Sequence, residues 1–155
     1  MSGKLAKEIR QTRPFPSTGE EAFLNLGRTW EFLQKRVADL IKQFQLTPTQ
    51  YNMLRILRGA GVDGVTCSQA TERMLTPDPD ITRLLDRMEL LGLIRRDRAK
   101  EDRRVVIARI TDQGLALVNR IDAPLHLLFQ QTFGRVSRQR LQQLIETLEA
   151  LREPS

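Results

Sequence analysis

Asp78-Pro79-Asp80-Ile81-Thr82-Arg83-Leu84-Leu85-Asp86-Arg87-Met88-Glu89 is followed by Leu93-Ile94-Arg95-Arg96-Asp97-Arg98. After a charged turn from Ala99 to Arg103 comes Arg104-Val105-Val106-Ile107-Ala108-Arg109-Ile110. These runs decide the fold. The first carries apolar residues at helical spacing. The other two are β-rich and joined by a short polar turn, the mark of a hairpin. A short helix opened by Thr66-Cys67-Ser68-Gln69 precedes them. Two short helices and then a basic hairpin suit a winged helix-turn-helix. Such a unit lays one helix in the major groove of DNA and a charged loop on a neighbouring groove. The expected class is mostly α with a small β-hairpin wing (α+β).

At about 100° per residue, the helix over 79–91 divides into two sides. Ile81, Leu84, Leu85, Met88 and Leu91 should pack on the preceding helix, leaving Pro79, Asp80, Arg83, Arg87 and Leu90 outward. Arg83 and Arg87 stand one turn apart and share a direction. Each can donate two hydrogen bonds to guanine O6 and N7, or grip a phosphate. The competing reading is a solvated face with Arg83 paired to Asp80 or Asp86. Thr82 lies near the helix start, within reach of a thymine methyl or a phosphate. Asp80 is the odd residue: an acid repels phosphate, yet it favours a helix N-terminus and could accept from cytosine N4.

Arg95, Arg96, Arg98, Lys100, Arg103, Arg104 and Arg109 lie within fifteen residues, diluted by Asp97, Glu101 and Asp102. Strand alternation spreads them over both faces. The turn from Lys100 to Arg104, with Lys100, Arg103 and Arg104 as its cations, is best placed to meet DNA. A narrow minor groove attracts arginine. Asp102 is expected to orient an arginine rather than touch DNA.

Outward from this unit, Thr47-Pro48-Thr49-Gln50 and Thr66-Cys67-Ser68-Gln69 are capping-box starts, the first with proline at the opening helical position. Asp78 is expected to cap the next helix and Gly92 to end it. Residues 1–18 read as a flexible N-terminal arm. A long helix over 19–46 carries Phe23, Leu26, Trp30, Leu33, Val37, Leu40 and Phe44 on one stripe. The lobe spans 47–111, and 112–155 supplies two more helices, the first expected to kink or split at Pro124. The terminal stripes suit pairing two chains, or packing on each other within one.

The chain has 155 residues, 40% of them hydrophobic, enough for one real core; its net charge of +6 suits a polyanionic partner. No apolar run nears the roughly 20 residues that span a bilayer. Met1 to Thr12 has no apolar core of a secretory leader. The single cysteine fits a reducing cytoplasm. Cys67 and His126, far apart, make neither a metal set nor a nucleophile pair, so no enzyme chemistry and no cofactor is expected. Met53, Met74 and Met88 read as core.

The words Ile81 to Glu89, Leu91-Gly92-Leu93-Ile94 and Glu101-Asp102-Arg103-Arg104, with Ile110-Thr111 and Gly114 at the right distance, resemble the MarR family of winged-helix transcriptional regulators. The helix from Leu46-Thr47-Pro48 to Leu57 matches too, and the resemblance covers about residues 20–150. It implies a sequence-specific regulator, a repressor in the first instance, acting as a homodimer on a pseudo-palindromic operator. The wing arginine, Arg104 or Arg103, would enter the minor groove. It also implies a small aromatic or anionic effector bound between the dimer helices and the DNA-binding lobe, with Trp30 a candidate lining residue. Some members respond to cysteine oxidation, but Cys67 is not in the first long helix. Pro77, Asp78, Pro79 and Asp80 depart from the pattern and bear on base preference. The alternative is a winged-helix protein-interaction module without DNA binding, suggested by the acids at Asp80, Asp97, Glu101 and Asp102.

Overall fold

The computed structural model describes residues 3–76, 78–99 and 101–153. Pro77 and the candidate DNA contact Lys100 lie outside them. The first element differs from the expected arm. Lys4–Glu8 forms a short helix, α1, whose Leu5 and Ala6 are buried. A five-residue helix is weak alone; burial of that apolar pair holds it, with a Lys4–Glu8 ion pair at 3.5 Å on its surface.

The long helix α2 (Thr18–Lys42) starts on Ser17, whose hydroxyl accepts the Glu20 N–H at 3.1 Å, with Glu20 and Glu21 against the positive helix end. Ile41 is buried in the core, and Val37, Leu40 and Phe44 pack beside it. Toward the other end Phe23, Leu26 and Trp30 remain exposed.

Helix α3 (Pro48–Ala60) opens with a complete capping box. Thr47 Oγ1 accepts the Gln50 N–H at 3.2 Å, and Gln50 Oε1 accepts the Thr47 N–H at 2.9 Å. It buries Tyr51, Met53, Leu54 and Leu57. A 3-10 turn over Gly61–Asp63 leads to β1 (Val65–Thr66). Helix α4 (Cys67–Arg73) repeats the box through Thr66 and Gln69. It ends at Arg73, because Met74 takes extended dihedrals and turns its side chain into the core.

Helix α5 (Ile81–Leu90) is capped by Asp80, not by Asp78. Asp78 instead accepts the Asp80 N–H at 2.9 Å, so Pro79 sits in a turn ahead of the helix. Leu84, Leu85 and Met88 are buried as the spacing predicts; Leu91 lies past the helix end and is half exposed. There the Leu93 N–H donates to Met88 O and the Gly92 N–H to Glu89 O, a Schellman closure with Gly92 at φ 71°.

Strands β2 (Ile94–Arg98) and β3 (Val106–Ile110) form the hairpin, with Ile94 opposite Ile110 and Arg98 opposite Val106. β1 pairs on the other edge of β3, giving the order β1-β3-β2. β3 starts later than Arg104 because the Val105 N–H donates to Asp102 O at 3.0 Å and closes the turn.

Helix α6 (Asp112–Phe133) begins at Thr111, whose Oγ1 accepts the Gly114 N–H and donates to Gly92 O at 2.7 Å. The helix runs through Pro124 without a break, so of the expected kink or split the split does not occur. Ile121 and Leu125 are buried on either side of the proline, and that packing outweighs the lost backbone hydrogen bond. Helix α7 (Arg138–Ala150) leaves every residue at least partly exposed. The core lies between α3, α4, α5, the sheet and the facing sides of α2 and α6.

Candidate nucleic-acid interface

Burial of Leu84, Leu85 and Met88 fixes which side of α5 faces solvent. Thr82, Arg83, Asp86, Arg87 and Leu90 are exposed on it. Arg83 pairs through Nε with Asp80 at 3.2 Å, one of the two partners that the spacing allowed. Arg87 has no ion-pair partner among the described residues. A helix presenting two arginines one turn apart, with a threonine at its N-terminal turn, can donate to base edges or phosphates.

The wing sorts its cations into two groups. Arg96 and Arg109 are engaged by the protein itself. Arg96 donates from its N–H to Glu89 Oε1, and from Nε and Nη2 to Glu89 Oε2; Nη2 also reaches Asp86 Oδ1 at 2.6 Å. The Glu89 hydrogen bonds, helped by Asp86, push its guanidinium above the ordinary arginine value. Arg109 donates from Nε to Val62 O at 2.8 Å and from Nη1 to Asp97 at 3.2 Å, tying β3 to the 3-10 turn.

The other group faces solvent. Arg95 reaches Asp97 at 3.6 Å, and Arg98, Arg103 and Arg104 are exposed. Asp102 acts on the backbone of the turn and not on a guanidinium: its Oδ1 accepts the Arg104 N–H at 2.9 Å. That contact and the Val105–Asp102 bond shape the loop that carries Arg103 and Arg104.

Thus α5 holds Thr82, Arg83 and Arg87 on one open side, and the turn holds Arg103 and Arg104. Trp30 stands on α2, half exposed, outside the lobe core. Cys67 is half-buried against the core. Sequence reasoning missed the bracing of Arg96 by Asp86 and Glu89. The three-residue spacing of those acids on α5 was the available signal, but their partner lies on another element.

A second brace joins the lobe to α6. Arg58 donates to Asp122 at 2.7 Å and to Asn119 at 2.9 Å, and the Asp122 hydrogen bond raises its pKa. Among the described residues, no helix is long and apolar enough to cross a membrane.

Residues 44–105 match the model of the MarR family. The HTH-type transcriptional regulator PecS of Dickeya dadantii is 29% identical over 97 residues, covering 62% of this chain and 58% of PecS. The chain thus spans less than two thirds of that relative. A MarR transcription factor from Planctomyces limnophilus, known as a crystal structure, is 36% identical with a TM-score of 0.68; the match covers 88% of this chain and 99% of that one. The structure of S. aureus MepR in complex with DNA is 24% identical with a TM-score of 0.73, covering 82% and 93%. At that identity the likeness speaks for the fold.

Proposed function

The chain belongs to the MarR family, and on that premise we propose that it is a transcriptional regulator, a repressor, that binds double-stranded DNA as a homodimer. One observation carries the reading. The open side of α5 presents Thr82, Arg83 and Arg87 while the core fixes its other side, and an arginine-bearing turn stands on the adjoining hairpin. On this reading α5 lies in a major groove, where Arg83 and Arg87 meet bases or phosphates and Thr82 a phosphate or thymine methyl. Arg103 and Arg104 enter the adjacent minor groove. Two copies engage half-sites of a pseudo-palindrome one helical turn apart, about 34–36 Å. MepR, a protein of the same fold, has been seen in complex with DNA.

The exposed apolar residues of α2, α6 and α7, among them Phe23, Phe129 and Ile145, support the second copy. A small aromatic or anionic effector between the dimer helices and the lobe, with Trp30 in its lining, is part of the proposal and rests on the family resemblance. So does a cytoplasmic site of action, and so does the assignment as a binding protein rather than an enzyme. The protein-interaction alternative drew on four acids. Asp80 caps a helix, Asp97 pairs with Arg95 and Arg109, and Asp102 shapes the turn. Their partners account for three of the four without a protein ligand, so DNA remains the better reading.

Fluorescence anisotropy on duplexes selected from genomic fragments tests it. Arg104→Ala should weaken binding to all sequences and lower the salt slope by about one unit. Arg83→Ala should cost roughly 1–3 kcal/mol and relax the preference at one position. Unchanged affinity in both variants would refute the assignment.

A further inference from the structure

Asp80 makes two contacts with one residue. Its Oδ1 accepts the Arg83 backbone N–H at 3.2 Å, and its Oδ2 lies 3.2 Å from Arg83 Nε. Its own backbone is fixed in turn, because its N–H donates to Asp78 Oδ1 at 2.9 Å. Both side chains are open, Asp80 at 51% and Arg83 at 71% exposure, so the pair stands on the outward side of α5 and not in its packing. Serine or threonine caps about as well, so the charge adds to the cap only its attraction to the positive helix end. The charge sits on the surface proposed to meet a polyanion, where it opposes phosphate.

The geometry of the pair shows what the carboxylate does for Arg83. It engages the guanidinium on its Nε edge. The two terminal nitrogens have no ion-pair or hydrogen-bond partner among the described residues beyond this pair, and they form a planar fork. That fork matches O6 and N7 of a guanine. A phosphate approaching the same fork would also approach the carboxylate.

Resting on the DNA-binding reading, we propose that Asp80 is a specificity-determining residue. It orients Arg83 toward a guanine in the major groove and keeps it off the sugar-phosphate backbone. Arg83 then contributes base discrimination and little uniform affinity, whereas Arg87, with no acid on it among the described residues, contributes the reverse.

The test uses the full chain and a randomised duplex library. Selection with the wild type and with Arg83→Ala identifies the guanine whose preference depends on Arg83. Anisotropy then compares wild type and Asp80→Ser on the selected duplex and on one with that G·C pair replaced by A·T, at two salt concentrations. Serine keeps the cap, so helix content by circular dichroism should hold. Asp80→Ser should lose about tenfold of the discrimination between the two duplexes, bind the A·T duplex more tightly, and steepen the salt slope by about one unit as Arg83 takes a phosphate. Wild-type discrimination retained in Asp80→Ser overturns the proposal, as does an Arg83→Ala chain that keeps every base preference. A wild-type chain that enriches no sequence and binds no duplex overturns the DNA-binding reading itself, and the role of Asp80 with it.

Discussion

Arg96 on β2 grips Glu89 on α5 three times, from its backbone N–H at 3.0 Å, from Nε at 3.0 Å and from Nη2 at 2.7 Å. Asp86, one turn back on α5, takes a further bond from Nη2. A guanidinium with two acids therefore ties the wing strand to the helix proposed to read DNA. Arg96→Ala leaves the two carboxylates facing each other without a cation. With side-chain exposures of 39% for Glu89 and 51% for Asp86, solvent screens much of the loss. Urea unfolding should show about 1–2 kcal/mol of destabilisation. DNA affinity should fall further than stability explains, because the wing no longer keeps its register. Arg96→Lys, with one charge and no fork, should recover only part of either. Equal stability and affinity in wild type and Arg96→Ala would remove Arg96 from this role.

Gly114 and Gly59 make a matched pair. A Cβ at Gly114 would collide with the Leu93 carbonyl oxygen and press on Ile110, because the start of α6 lies directly on the chain leaving α5. Gly59, inside α3, has open space where its Cβ would go. Gly114→Ala should therefore destabilise by about 1–3 kcal/mol, while Gly59→Ala should stabilise by about 0.5–1 kcal/mol. Thermal unfolding of the two variants against wild type checks the signs. Equal effects would mean that the junction gives way without cost.

What could be read from the residues followed how local each rule is. The boxes at Thr47 and Thr66 are visible because cap and partner lie three positions apart and need nothing from elsewhere. The sides of α5 are visible because Leu84, Leu85 and Met88 share one period with the core. At Asp78-Pro79-Asp80 two acids offered a cap on either side of a proline, and the choice depended on a turn that periodicity does not describe. The continuity of α6 through Pro124 depended on burial of Ile121 and Leu125, which overrides the local penalty. The division of the wing arginines into braces and open cations was least visible, since it required knowing that β2 passes Glu89 and that β3 passes Val62.

Helix α7 leads to a third prediction. It has 13 residues, all at least partly exposed, and an isolated helix of that length is marginal in water. Its apolar residues Leu144 and Ile145 and its C-cap Leu151 face outward, as do Phe23 and Trp30 of α2. A second copy covering these faces would supply the missing packing. Sedimentation equilibrium should give a dimer for the wild type. Phe23→Glu combined with Ile145→Glu should give a monomer that loses helix signal and binds duplex DNA weakly, since one half-site is left per molecule. A double variant that remains dimeric would place the interface elsewhere.

The last prediction concerns alkaline pH and Tyr51. The ring, on α3, is buried, and that burial, aided by the Asp122 carboxylate, holds its hydroxyl above the ordinary value of 10.0, even though Arg55 and Arg58 pull the other way. The folded chain therefore resists deprotonation more than the unfolded chain does. A group with a raised folded pKa contributes stability that is complete below the unfolded value and is lost as pH rises through the folded one. Ionisation of Tyr51 should then leave stability unchanged from neutral pH to about pH 9 and lower it beyond about pH 10. Tyr51→Phe cannot ionise. Although it gives up the hydroxyl, it should lose less stability than wild type between about pH 8 and pH 11, the lysines cancelling in the comparison. Parallel urea titrations at those two pH values measure the difference, and identical losses in the two proteins would show that Tyr51 ionises as freely in the fold as out of it.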